Sequence, residues 1–332
     1  MMSVWSSLVG QEAAVAKLSE AAASARAIVA SRGGAHASDD ARSMSHAWLI
    51  TGPPGSGRSV AARAFAAALQ CTGETVGCGQ CAGCRTTMGR TNADVVFAAT
   101  ETSIINVETA RSLVLQAQSS PSQGLWRVIV VEDADRLGES GANALLKAIE
   151  DPPEHTVWLL CAPSPEDMIA TIRSRCRHLG LRIPTAAAVA DLLVREGVAT
   201  PEVALEAARA AQSHIGLARA LARDPQMRER RRAIITAPAS VRSVGEAVMA
   251  ADRLLETAKA QADAQVSERN AREKAELLRQ LGMDEGESAT KASRTMIRQL
   301  EEDQKRRSKR ALTDAIDRAL IDLLAIYRDV LM

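Results

Sequence analysis

Gly52-Pro53-Pro54-Gly55-Ser56-Gly57-Arg58-Ser59 has the residue types and spacing of a phosphate-binding loop. Its glycines let the backbone approach a polyphosphate, and a helix starting just after it would turn free N–H groups toward that anion. The candidate nucleotide contacts are Gly52, Pro53, Gly55, Ser56, Gly57, Arg58 and Ser59. Position 58 is the one at which such loops carry a lysine that reaches the outer phosphates, and here it is arginine. A compact ammonium and a planar, forked guanidinium are not interchangeable. The spacing therefore predicts a loop compatible with ATP and Mg²⁺ but impaired in hydrolysis.

Cys71, Cys78, Cys81 and Cys84 form a second group. Thiolates bind zinc in tetrahedral fours, and C-x-x-C spacing brings neighbouring sulfurs onto one metal. Disulfides or four free thiols are the alternatives, and disulfides fit poorly with a cytoplasmic protein. The spacing predicts structural Zn²⁺, with no ligand position left for water. Cys161 and Cys176 stand apart in apolar runs and read as buried thiols.

Two further groups are charged. Glu132 and Asp133 end the apolar run 126–131. Acids at the end of a buried strand can hold Mg²⁺ and orient an attacking water, or can simply be a solvated strand end. The order Glu then Asp reverses the usual one. Arg173, Arg175 and Arg177 alternate in the segment 172–177. Such a triplet is either a solvated face or a source of an arginine that reaches a neighbour's nucleotide.

The elements that must position these groups can be read from pattern. The runs 48–50, 94–98, 126–131 and 156–161 read as strands, and 59–70, 105–117 and 143–150 as helices. An alanine-rich helix precedes them to about residue 30, and 31–45 reads as a surface loop. After Pro184 the chain reads as helical: 186–196, 201–212, 215–223, then a charged stretch from 233, broken over 282–288, with Leu312, Ile316, Leu320 and Leu324 as its packed seam. The chain stops mid-pattern at Leu331-Met332, as a truncated chain would.

Across 332 residues, 46% are hydrophobic but only 2% aromatic, so alanine, valine and leucine must fill the cores. A net charge of +1 gives no global signature of nucleic-acid coating. No run of eighteen apolar residues occurs, and the N-terminus has no signal-peptide pattern, so the expected place is the cytoplasm and no membrane partner is expected.

Taken together, Val9-Gly10-Gln11, the stretch 46–55, the four cysteines, 132–137, 143–153 and 171–176 resemble the delta-prime clamp-loader subunits of bacterial DNA polymerase III, a branch of the AAA+ family. The resemblance covers 8–178 in order, and the following helices fit to about 230. It implies an α/β AAA+ domain with a parallel five-stranded sheet over 1–180, carrying the zinc module at 71–84. It further implies a helical lid over 181–232 and an all-α collar domain over 233–332 that contains a charged insertion. The implied function is completion of a heteropentameric ring with gamma/tau and delta subunits in the nucleoid. That ring would load the beta sliding clamp on primer-template DNA. Arg175 would act in trans on a neighbour's ATP, and the chain's own ATPase would be weak or absent. The rivals are an active gamma/tau-like ATPase or motor, and a zinc-dependent nucleic-acid-binding module.

Overall fold

The computed structural model describes residues 3–31, 43–98, 104–280 and 291–331. Most of the expected surface loop 31–45 and the whole expected break 282–288 lie outside them. By internal packing the chain forms two units, 1–100 with 104–223, and 101–103 with 224–332.

The first unit is built on five short strands: β1 Ala47–Thr51, β2 Val95–Ala98, β3 Arg127–Val131, β4 Thr156–Ala162 and β5 Arg177–Gly180. They pair in the order β2-β3-β4-β1-β5, and every pairing is parallel. The parallel five-stranded sheet expected from the sequence is thus present. β1 and β4 are buried along their whole length, which is why they read as continuous apolar runs rather than alternating ones.

Alternation still decides which layer each side chain joins. Trp48 and Ile50 point with Val128, Val130, Leu159 and Cys161 to one face. There they meet α1 (Glu12–Ala30) through Leu18 and α2 (Arg58–Leu69) through Phe65. Leu49, Ile129, Val131, Trp158 and Leu160 point to the other face. They meet α4 (Val107–Ala117) through Leu113 and α5 (Glu139–Glu150) through Leu145 and Ile149. With few aromatics, the fit rests on small residues and single large anchors. Trp48 meets Phe65 edge-on, with ring centroids 5.2 Å apart.

One helix start differs from expectation. α5 begins at Glu139, not Asn143, because Ser140 and Gly141 are weak helix formers that tertiary contact overrides. A Cβ on Gly141 would lie 3.2 Å from the Ile105 carbonyl oxygen, so the helix start packs against that backbone. In α4 the buried face runs through Ala110, Leu113 and Ala117, with Val114 only half-buried.

Asp94, just before β2, is fully buried. Its carboxylate accepts from Ser122 N (2.6 Å) and Oγ (2.9 Å), Gln123 N (2.8 Å) and Gly124 N (2.6 Å). Burial alone would raise its pKa, but these donors outweigh it and hold the carboxyl below its ordinary value. A carboxyl depressed in the fold contributes stability in full above its unfolded pKa of about 4, and that stability is lost as pH falls through the lower folded value. Asp94→Ala leaves buried N–H groups unpaired and should cost about 3 kcal/mol or more. Asp94→Asn should flatten the acid limb of a stability-against-pH curve from urea melts. An unchanged limb would remove Asp94 from that account.

The same unit ends in three short helices, α7 (Ala186–Arg195), α8 (Pro201–Ala210) and α9 (Ile215–Arg223). Thr185 caps α7 by accepting from Ala188 N at 3.2 Å, and Pro201 starts α8 at its first turn. Gln212 and Ser213 both take left-handed backbone, with φ of 48° and 63°, which makes the turn before α9 abrupt.

The second unit is helical: α10 (Pro225–Ser240), α11 (Val244–Gln280) and α12 (Lys291–Leu331). α11 and α12 pack along a seam of Ala258, Ala262 and Val266 against Ala311 and Ala315, with Leu312 and Ile316 half-buried beside it. The expected seam holds in its first half, where Leu312 and Ile316 pack, and is corrected in its second: Leu320 and Leu324 are 48% and 67% exposed, and small alanines form the buried centre of the contact. Arg307 donates to Asn270 Oδ1 (2.8 Å) and Glu273 Oε2 (2.7 Å), and Gln304 donates to the Asn270 carbonyl (2.9 Å). Among the described residues no helix is long and apolar enough to cross a membrane.

Candidate functional site

In a parallel sheet all carboxyl ends lie on one edge, and ligands bind where the strand order reverses. Here β1 sits between β4 and β5, so the loop leaving β1 opens at that edge. Gly52 to Gly57 make the turn, and Arg58 is the first residue of α2. Gly55 and Gly57 have φ of 89° and 91°, a region that other residues enter only with strain. A Cβ on Gly55 would also stand 2.8 Å from the His214 Cα. The loop is therefore touched from above by the turn that begins α9.

The loop's polar groups are largely turned inward. Arg58 Nη1 donates to the Gly52 carbonyl, so the guanidinium folds back onto its own loop. Ser56 is buried and its Oγ has no partner. Gln11, at the start of α1, is also buried. Its Nε2 donates to the Ser56 carbonyl (3.3 Å) and the Arg182 carbonyl (2.5 Å), and its Oε1 accepts from Arg182 N (3.2 Å). One side chain thus ties the loop to the segment after β5. Pro53 is exposed, while Gly52 is buried and Ser59 half-buried at the loop's two ends.

Glu132 leaves β3 on the same edge, its N–H bonded to the Ala98 carbonyl at 2.9 Å. Its carboxylate pairs with Arg90 at 2.5 Å. Asp133 precedes a single 3-10 turn, Ala134–Arg136. Arg58 lies close enough to these acids to matter. Burial raises the Asp135 carboxyl and the Asp133 charge adds to that, while Arg136 and Arg58 oppose it. Between loop and acids, Cys161 is fully buried, and burial, aided by the Glu132 charge, pushes its thiol up to about 12. It is an inert core thiol, as expected.

Arg175 follows α6 (Ala170–Arg173), on the connection to β5. It is half-exposed and donates through Nε to Glu150 and through Nη1 to the Thr171 carbonyl (2.9 Å). Arg177 instead lies over the Trp48 ring, 5.0 Å from its centre, and donates to the Ser43 carbonyl. Arg173 donates to the Pro165 carbonyl at 3.2 Å. The structure does not bring Arg175 to this chain's own loop by any contact. Of the three arginines it is the one bonded to a half-exposed carboxylate.

The cysteines form a compact module between α2 and β2. Their four Sγ atoms lie within 4.8 Å of one another, with Cys71 and Cys84 buried and the other two half-buried. Zinc–sulfur bonds of about 2.3 Å in a tetrahedron need sulfurs about 3.8 Å apart. Backbone N–H groups of Gln80 and Cys81 point at the Cys78 sulfur and that of Cys84 at the Cys81 sulfur, each at 3.4 Å. Burial works against the Cys81 thiolate, but hydrogen bonds from Cys84, led by its N–H, and from Thr72 outweigh it and hold the thiol at about 6. A donor set of this kind fits a structural zinc ion held by Cys71, Cys78, Cys81 and Cys84.

The module is knitted to the domain. A Cβ on Gly83, in α3 (Ala82–Met88), would fall 2.0 Å from the Gln70 carbonyl oxygen, so the two helices touch where only glycine fits. Val4 N bonds the Gly77 carbonyl at 3.0 Å, and Arg26 donates to the carbonyls of Cys71 (2.9 Å) and Glu74 (3.0 Å). The sequence reading missed four residues of this edge: Gln11 in its bridging role, Arg63, Arg90 and His214. Their partners lie far away in sequence, and no local spacing signals them.

Comparison with known proteins gives this segment its relatives. Residues 36–185 match a family model described as DNA polymerase III, delta subunit. The chain is 34% identical over 165 residues to the DNA polymerase III subunit delta' of Pseudomonas aeruginosa, covering 48% of this chain and 50% of that protein. It is 35% identical over 159 residues to DNA polymerase III subunit gamma/tau of Mycobacterium tuberculosis, covering 47% of this chain and 28% of that one. The chain thus spans half or less of the length of these relatives. A solved DNA polymerase III gamma subunit-related protein of Thermotoga maritima superposes with a TM-score of 0.40 at 18% identity, covering 83% of this chain and 95% of that one. The loop, the sheet and the cysteine module all lie inside or beside this matched segment, so residues 36–185 are similar to the delta-type and gamma/tau subunits of DNA polymerase III.

Proposed function

We propose that this chain is a delta-prime-type subunit that completes a clamp-loader ring, hydrolysing ATP weakly or not at all by itself. The observation that carries the reading is Arg58 turned back onto the Gly52 carbonyl of its own loop. Support also comes from Glu132, whose carboxylate is already engaged by Arg90. In the assembled ring, Arg175 reaches ATP held by a neighbouring gamma/tau-type subunit and stabilises charge on the transferred phosphoryl group. The AAA+ domain with its zinc module, the lid helices and the all-α C-terminal domain then serve assembly with gamma/tau and delta subunits. Contact with the beta clamp and primer-template DNA comes through the complex, at the replisome.

An ATP–Mg²⁺ titration with turnover followed in the same samples tests this reading. The expected result is no binding, or binding with turnover too slow for a motor. Turnover at a motor-like rate of about 1 per second or more, lost in Arg58→Ala, would reject it. A gamma/tau-like ATPase is the second reading, favoured by the intact loop spacing and by the equal likeness to the gamma/tau relative.

A further inference from the structure

Arg90 sits where the cysteine module rejoins the sheet, and its backbone is strained. Its φ is 59°, left-handed, in a residue with a full side chain. Such a conformation costs about 1 kcal/mol or more, and a strained residue on a site edge is a reason to ask what it does there. The turn is fixed by Gly89 N to the Arg85 carbonyl (2.9 Å), Arg90 N to the Thr87 carbonyl (3.0 Å) and Thr91 N to the Thr86 carbonyl (2.8 Å). These bonds aim the side chain away from the module and over β2. The guanidinium lies 5.0 Å from the centre of the Phe97 ring, and Nη2 meets Glu132 Oε1 at 2.5 Å.

A second cation stands close. Arg63, in α2, is half-buried with its Nε unpartnered. Burial, then the neighbouring Arg90 charge, lowers its pKa, and Glu132 opposes that. Glu132 thus faces two guanidinium groups, and the facing surface is cationic before any ion arrives.

We propose that Arg90 is a positioning residue that holds Glu132 as a built-in counter-cation, occupying the carboxylate a divalent metal ion would otherwise take. The proposal deepens the reading of this edge as a silenced nucleotide site and rests on it. It gives the cysteine module a second consequence, because the module's last turn delivers the arginine. The opposing account is that Arg90 only fastens the module to the sheet.

Mn²⁺ titration of the full chain, followed by electron paramagnetic resonance without nucleotide, separates the two. Arg90→Gln should tighten Mn²⁺ binding about tenfold, the equivalent of 1.4 kcal/mol. Arg90→Lys should stay near wild type, because it keeps the cation. Adding Glu132→Gln to Arg90→Gln should abolish the gain. Arg90→Met keeps the stem against Phe97 and replaces Arg90→Gln if that variant fails to fold. Equal affinity in wild type and the neutral variant, or a gain that survives Glu132→Gln, overturns the proposal. Because ATP is absent from this titration, its result stands apart from the ATP binding and turnover that test the proposed function.

Discussion

Replacing Arg175 by alanine should cut the DNA-stimulated ATPase of a reconstituted ring by about a thousandfold, while the isolated chain melts at nearly the wild-type temperature. The asymmetry follows from where the side chain sits. Its pairing with Glu150 joins two side chains that are 40% and 45% exposed. Pairs of that kind contribute at most about 1 kcal/mol, so losing or releasing it costs the fold little. In a neighbour's site, from which water is excluded, the same guanidinium would face charge developing on a phosphoryl group. Arg175→Lys should recover only part of the rate, because an ammonium cannot present the planar fork. Glu150→Ala frees the arginine without removing it and should leave ring ATPase at or above wild type. The measurement is steady-state phosphate release by rings whose composition is checked by mass. An Arg175→Ala ring that assembles and keeps full ATPase would end the finger assignment.

Removing the metal, or one of its ligands, should have the other large effect. A metal at about a thousand times its dissociation constant stabilises the folded state by about 4 kcal/mol. For a unit of this size that corresponds to about 10 °C in melting temperature. Cys81→Ser should therefore lower the melting point by about that amount, and a strong chelator should do the same to the wild-type chain. The loss should spread beyond the module, since Gly77 and Cys71 hold Val4 and Arg26 through their carbonyls and Gly83 rests on Gln70. Purified chain should contain one zinc per molecule by elemental analysis. A metal-free preparation with an unshifted melt would mean that the four thiols fold unaided.

Both effects concern groups that were legible in the sequence, and the reason is local. The loop, the C-x-x-C pairs and the arginine triplet each fall within about a dozen residues, and the strands between them are continuous apolar runs. What escaped the sequence is long-range. His214 meets Gly55 across the whole sheet domain, Gln11 bonds Arg182 from 171 positions away, and Arg90 meets Glu132 from 42. No periodicity encodes such meetings. The Leu320 and Leu324 expectation failed for a different reason. A four-residue spacing marks a stripe but does not say how far along the helix that stripe faces the partner: Leu312 and Ile316 pack beside the alanines, and Leu320 and Leu324 do not.

That alanine stripe has a consequence for how the long hairpin finds its alignment. Ala258 and Ala262, and Ala311 and Ala315, recur every four residues, and the larger Leu312 and Ile316 are only half-buried beside them. A surface so even resembles a ruler with identical marks: sliding one helix by a turn would set methyl against methyl again, with little change in buried area. Leucine or isoleucine knobs would forbid the slide by collision. Here Leu312 and Ile316 are only half-buried, so the uniqueness of the alignment falls to them together with Val266 and the polar clasp of Arg307 and Gln304 on Asn270 and Glu273. The clasp works as a vernier, and the correct reading of the ruler depends on a handful of hydrogen bonds as well as on the few larger side chains of the seam.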